Sequence, residues 1–119
     1  MPLSPSCVST KVIELSGLSD GERIDLTDSG LPKFMHLFGV VGYSISSTER
    51  VENSISFHDG LSDVKVFDFD LTTAHSEAYS SFSCIMEKDA YIRITDGLNV
   101  LISVESGEIT TFTMTVVYQ

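Results

Sequence analysis

The chain has 119 residues, 42% hydrophobic and 20% charged, a composition that fits one ordered globular domain and argues against disorder. Its net charge is −10, from 17 acidic and 7 basic residues, and Lys11, Arg23, Lys33, Arg50, Lys65, Lys88 and Arg93 form no cluster. That balance argues against nucleic acid as a partner, because phosphate neutralisation needs a basic patch, and it repels an anionic membrane surface.

Met1 to Ser6 holds two of the three prolines and reads as an extended N-terminal arm, residues 1–6, ahead of a single all-β domain, residues 7–119. It lacks the basic region and apolar core of a secretory signal, and no apolar run approaches the roughly 18 residues that cross a bilayer. The expectation is a chain made and folded in cytoplasm. Cys7 to Leu15 is the first predicted strand, followed by a turn-rich link from Ser16 to Glu22. Arg23 to Thr27 alternates Ile24 and Leu26 as a short strand, and Asp28-Ser-Gly-Leu-Pro32 breaks the chain.

Phe34 to Ser46 is the longest apolar segment. Gly39 and Gly42 disfavour a helix there, while Val40, Val41, Tyr43 and Ile45 favour a pleated surface, so a strand bent or bulged at a glycine is predicted. Ser54 to His58 alternates Ile55 and Phe57, and His58-Asp-Gly-Leu-Ser-Asp63 reads as a hairpin-like connection into Val64 to Thr72. In that strand Val64 and Val66 point one way and Phe67, Phe69 and Leu71 the other. The switch of phase predicts a bulge near Val66. Thr73 to Ser81 reads as polar loop with a helical turn around Ala74 to Ala78, and Phe82 to Met86 as a further short strand.

The last third holds three strand-like runs: Tyr91 to Thr95, Leu98 to Val104 and Ile109 to Tyr118. Asp96-Gly97 and Ser106-Gly107 separate them, and glycine supplies the positive φ of a tight turn, so each pair is expected to pin a hairpin. In the final strand Phe112, Met114, Val116 and Tyr118 share one face. Thr111, Thr113, Thr115 and Val117 share the other, a half-polar face suited to water or to a partner subunit. About eight short strands and no long helix predict an all-β jelly roll or β-sandwich of antiparallel strands. Strand count leaves jelly-roll and immunoglobulin-like topologies both open.

Little in the chain points to chemistry. Cys7 and Cys84 lack the number and spacing of a disulfide framework or metal knuckle, and Cys84 reads as a buried, reduced small hydrophobe. His36, His58 and His75 have no i, i+2 or i, i+4 pairing; His36 is expected in a packed strand, His58 and His75 in or beside loops. Asp68 and Asp70 share one face of a strand and would hold a cation only with further loop oxygens; a solvent face opposite Phe69 is the simpler reading. No nucleophile elbow and no phosphate loop are present. A non-enzymatic protein without cofactor or metal is therefore expected.

The order of these pieces carries a resemblance. Phe38-Gly-Val-Val-Gly-Tyr-Ser-Ile45, Ile55-Ser-Phe-His-Asp-Gly60, Ala90-Tyr-Ile-Arg-Ile94, Asp96-Gly-Leu-Asn-Val100 and the closing Val117-Tyr-Gln119 follow one another over Leu37 to Gln119. This pattern resembles the small all-β virion proteins of tailed bacteriophages, which often close on a glycine-leucine hairpin and a Val-Tyr-Arg-like tail. The chain departs from them in ending on Gln119 and in its strong acidity, which weighs against an anionic ligand. The resemblance implies a capsid decoration (cement) protein on the virion surface, with the major capsid protein as partner and a homo-trimer as its form, or else a tail or fibre module. Candidate subunit or capsid contacts are then the arm, Pro2, Leu3, Ser4, Pro5 and Ser6, which could add to a neighbour's sheet edge, and the face of Thr111, Thr113 and Thr115. A receptor- or carbohydrate-binding fibre module would instead rely on Tyr43, Tyr79 and Tyr91.

Overall fold

A computed structural model describes residues 8–72, 78–87 and 90–119. Among these residues lie nine strands and one 3-10 turn. The strands are β1 (Ser9–Leu18), β2 (Arg23–Asp25), β3 (Met35–Ser46), β4 (Ser54–Asp59), β5 (Lys65–Asp70), β6 (Tyr79–Ile85), β7 (Ile92–Ile94), β8 (Leu98–Ser103) and β9 (Ile109–Tyr118). The arm Met1 to Ser6, with Cys7, lies outside the described residues, as do His75 and most of the helical turn expected around Ala74 to Ala78.

The pairing is that of a long antiparallel ribbon rolled up on itself. β4 pairs with β5 at the closed end of the ribbon, then β3 with β6, β2 with β8, and β1 with β9. Rolling brings β9 against β3 and β8 against β4, which completes two sheets ordered β1-β9-β3-β6 and β2-β8-β4-β5. Short β7 pairs with Met35–Leu37 and so continues the edge of β3 that β6 occupies from Gly39 onward. Pairing of first strand with last, two sheets deep, is the jelly-roll arrangement, and it decides against immunoglobulin-like topology.

The core lies between the sheets. Ile13, Val40, Phe82, Phe112, Met114 and Val116 of one sheet meet Ile55, Phe57, Phe67, Val100 and Ile102 of the other, and all are buried. A run of aromatic rings crosses the gap: Phe57 and Phe69 at 5.8 Å, Phe69 and Phe82 at 5.0 Å, Phe82 and Phe112 at 5.4 Å. Such spacings combine burial with favourable ring geometry.

Several sequence expectations require correction. Asp96-Gly97 makes the expected tight turn, with Gly97 at φ 86°, but it does not close a hairpin. β7 pairs with β3 whereas β8 pairs with β2 and β4, so the turn carries the chain from one sheet to the other. Ser106-Gly107 likewise joins β8 in one sheet to β9 in the other. Turn chemistry specifies a reversal, while the apolar faces of the flanking strands choose the sheet each joins. The segment Arg23 to Thr27 is a strand only to Asp25, whose carboxylate accepts from the Thr27 N–H at 3.0 Å and caps a 3-10 turn over Leu26–Ser29. β1 runs on to Leu18 because β9 offers it partners as far as Ile109. Tyr79 to Ser81, expected in a loop, joins β6 because Tyr43 to Ile45 of β3 provide a ladder. His58 lies beside the β4–β5 connection as expected, second to last in β4, and is buried there.

Other readings hold at residue level. The ladder of β4 and β5 pairs Phe57 with Phe67 and His58 with Lys65, leaving Val66 as the extra, bulged residue. A register shift between Leu37 and Gly39 places a bend beside a glycine of β3.

Candidate functional site

The two outer faces of the sandwich differ sharply in chemistry. On the β2-β8-β4-β5 sheet the outward rows are Arg23, Leu101, Ser56 and Asp68, then Asp25, Asn99, His58 and Lys65, then Ser103, Ser54 and Asp70. Charges are frequent there and are tied locally: Lys65 Nζ meets Asp68 at 3.2 Å, and Arg23 meets Asp63 at 2.8 Å. The Arg23 hydrogen bond and charge hold the exposed Asp63 carboxyl below its ordinary pKa.

The outward rows of the β1-β9-β3-β6 sheet are of another kind. Ser16, Thr111, Ile45 and Tyr79 form one row, and Glu14, Thr113, Tyr43 and Ser81 the next. Val12, Thr115, Val41 and Ser83 follow, then Thr10, Val117, Gly39 and Ile85. Glu14, on the border strand β1, carries the sole charge of this patch at neutral pH. The Tyr43 and Tyr79 rings stack at 5.6 Å, and a shallow depression beside them is floored by Ser81, Ser83, Thr113 and Thr115. Beyond Gly39 the face ends in a cluster where His36 packs on Tyr91 at 4.5 Å and Arg93 pairs with His36 across β7 and β3.

The structure thus brings Thr111, Thr113 and Thr115 together on one face, half-buried by their neighbours on β1 and β3. Pro2, Leu3, Ser4, Pro5 and Ser6 lie outside the described residues. Of the three tyrosines considered for carbohydrate contact, Tyr43 and Tyr79 cover one another, and Tyr91 sits apart over His36.

No group of metal-ligating side chains forms among the described residues. Asp68 and Asp70 point outward as expected, but Asp68 pairs with Lys65 and Asp70 accepts from Thr72, whose hydroxyl and N–H lower its pKa. Cys84 is a free, half-buried thiol packed against the core. His58 is committed to structure: Nε2 bonds the Ser56 hydroxyl at 2.8 Å and Nδ1 the Asp63 carbonyl at 3.3 Å.

Asp59 is the residue that sequence reasoning missed. It is buried at the end of β4, where its carboxylate accepts from the Thr95 hydroxyl at 2.6 Å, the Thr95 N–H at 3.0 Å, the Asp96 N–H at 3.3 Å and the Ser62 hydroxyl at 3.0 Å. Burial by itself would raise its pKa, but the hydrogen bonds from Thr95, Ser62 and Asp96 outweigh it and bring the value down to about 2. Asp59 ties the β4–β5 connection to the β7–β8 connection. It is a structural joint at one end of the roll.

No protein-family model matches the chain, and no curated protein matches it significantly. Among solved structures, it is similar to a Bacillus endospore appendage of a family of disulfide-linked pili, at 16% identity and a TM-score of 0.53, over 94% of this chain and 88% of that one. It is also similar to the virus-like particle protein of the extra small virus of the giant freshwater prawn Macrobrachium rosenbergii, at 13% identity and a TM-score of 0.39, over 99% and 82% of the two chains. A third similarity is to a protein of infectious bursal disease virus, Gx strain, at 14% identity and a TM-score of 0.39; 99% of this chain spans 36% of that one. The pilus similarity is one of fold. The two virus similarities are too loose to add to the topology already described.

Proposed function

We propose that the chain is a non-enzymatic structural subunit that decorates the capsid surface of a virion, acting as a cement protein that binds the major capsid protein as a homo-trimer. The observation that carries the structural reading is the asymmetry of the sandwich: one outer face is charged like ordinary solvent-facing surface, and the other is nearly uncharged and half apolar. A face of that kind serves contact better than chemistry. The rigid jelly roll, with its core of interleaved aromatic and aliphatic side chains, suits a protein that works by holding neighbours in place. Several weak contacts per particle then add through multivalency.

Similarity of fold to a pilus subunit supports a place in an extended assembly and gives the fibre-module alternative its footing. A carbohydrate-binding fibre tip has less support, because the rings of Tyr43 and Tyr79 are turned on each other.

Co-sedimentation with shells of the cognate particle tests the decoration reading. In this scheme residues 2–6 reach onto a neighbour, so deleting them weakens shell attachment while leaving the melting temperature unchanged. Equal attachment with and without those residues removes the arm from the scheme. Failure of the intact chain to sediment with shells, together with adsorption to a glycan array, would replace decoration by the fibre-tip reading.

A further inference from the structure

We infer that the uncharged face of the β1-β9-β3-β6 sheet is covered by a second copy of this chain, sheet face against sheet face. The inference rests on the structural-subunit reading but not on the trimer: a face that meets its own copy makes a two-fold pair, so this contact stands in place of a three-fold one.

Charge selects the face. Each copy carries a net charge of −10, so two copies repel one another. Repulsion and desolvation cost least where the meeting surfaces carry few charges of their own, and among the described residues the four outward rows of the β1-β9-β3-β6 sheet carry one, Glu14, with Arg93 beyond their end. Glu14 lies on the border strand, where a face-to-face contact leaves it at the wet rim. The opposite face carries Asp25, Asp68 and Asp70 beside Arg23 and Lys65, five charges that a face-to-face contact would have to strip of water.

Exposed apolar side chains gather on the same face. Val12 is 58% exposed, Tyr79 53% and Ile85 55%, while Val41 and Ile45 are exposed to a lesser degree. Single exposed apolar residues are ordinary, whereas five on one face of one sheet mark a contact. Serine and threonine hydroxyls between them keep the face soluble before the copies meet.

The size suits a weak, transient contact. At about 4.8 Å between strands and roughly 3.3 Å per residue, the four rows from Thr10 to Ser16 measure about 19 Å by 23 Å. Two such faces in contact remove roughly 900 Å² before side-chain relief is counted, below the roughly 1,200 Å² of stable specific interfaces and in the range of weak encounters. Packing of that kind repeats between molecules the layer spacing of about 10 Å found within a sandwich.

Sedimentation equilibrium of the full chain tests the inference with Val41→Lys and Thr113→Lys. Both side chains point outward, and each lysine makes the copy less acidic, which would by itself ease association. Burying an unpaired ammonium in the contact is nevertheless expected to weaken self-association by roughly 100-fold. Ser103→Lys, on the opposite face, makes the same change of charge and leaves association unchanged or slightly stronger. Circular dichroism confirms folding, and either face variant suffices if the other fails to fold.

Raising NaCl from about 0.05 M to about 0.5 M strengthens association of the unaltered chain, because screening relieves repulsion between acidic copies. A chain that remains a 13.0 kDa monomer at roughly 100 µM overturns the inference, as do face variants that associate like the unaltered chain or association that weakens with salt. An assembly that Val41→Lys breaks but that never attaches to shells upholds the inference and removes the decoration reading.

Discussion

Asp59 shows how much one side chain can organise. Its four hydrogen bonds reach two separate connections, and removing it leaves the Thr95 and Asp96 N–H groups without their acceptor. Asp59→Ala is therefore expected to lower stability by about 3 kcal/mol, read as a shift in the urea midpoint. The same carboxylate makes stability depend on pH. Its folded pKa of about 2 lies below the ordinary 3.8, so the unfolded chain binds the proton more readily. The stabilisation is complete above about pH 4 and is lost as pH falls through about 2, amounting to roughly 2 kcal/mol. Denaturation of the Asp59→Ala variant should show a flatter pH profile over that window. An identical profile in both proteins would move the acid sensitivity to another group.

The strands are held as two layers by rings more than by any ladder between them. Phe82 of β6 stacks on Phe112 within its own sheet and meets Phe69 of β5 in the other. Phe82→Ala would open a cavity where the sheets close on one another, at a cost of about 3 to 5 kcal/mol measured by thermal or chemical unfolding. A loss below about 1 kcal/mol would mean that the site collapses and the bridge is dispensable.

At this scale the sequence was legible wherever a signal is local. The change of phase at Val66 located the bulge of β5, and the alternation from Thr111 to Tyr118 sorted β9 into its buried and outward faces. Asp96-Gly97 and Ser106-Gly107 misled because a positive-φ glycine fixes a chain reversal but says nothing about which sheet receives the next strand. The outward face was legible only in part. Thr111, Thr113 and Thr115 could be read from one strand, but its neutrality depends on Val12, Val41, Tyr43 and Ile85, which β1, β3 and β6 bring from distant positions. The joint at Asp59 carried no signal, since apart from Ser62 its partners Thr95 and Asp96 lie 36 and 37 residues further along the chain.

The whole molecule is an acidic jelly roll with its charge unevenly spread. Solubility comes from the charged β2-β8-β4-β5 face and the loops, and the capacity for contact is concentrated on the other sheet. That division suits a subunit kept apart from its copies by repulsion until a particle or a matching face is available. Folding supplies the shape and leaves Glu14 as the one charge in the four outward rows of the β1-β9-β3-β6 sheet. The copy number of the chain in purified particles of its source, relative to the major shell protein, decides whether it is a structural component of a particle. A decorating subunit is present in hundreds per particle. A few to a few dozen would move the chain to a tail or fibre, and complete absence would rule out a structural role in the particle.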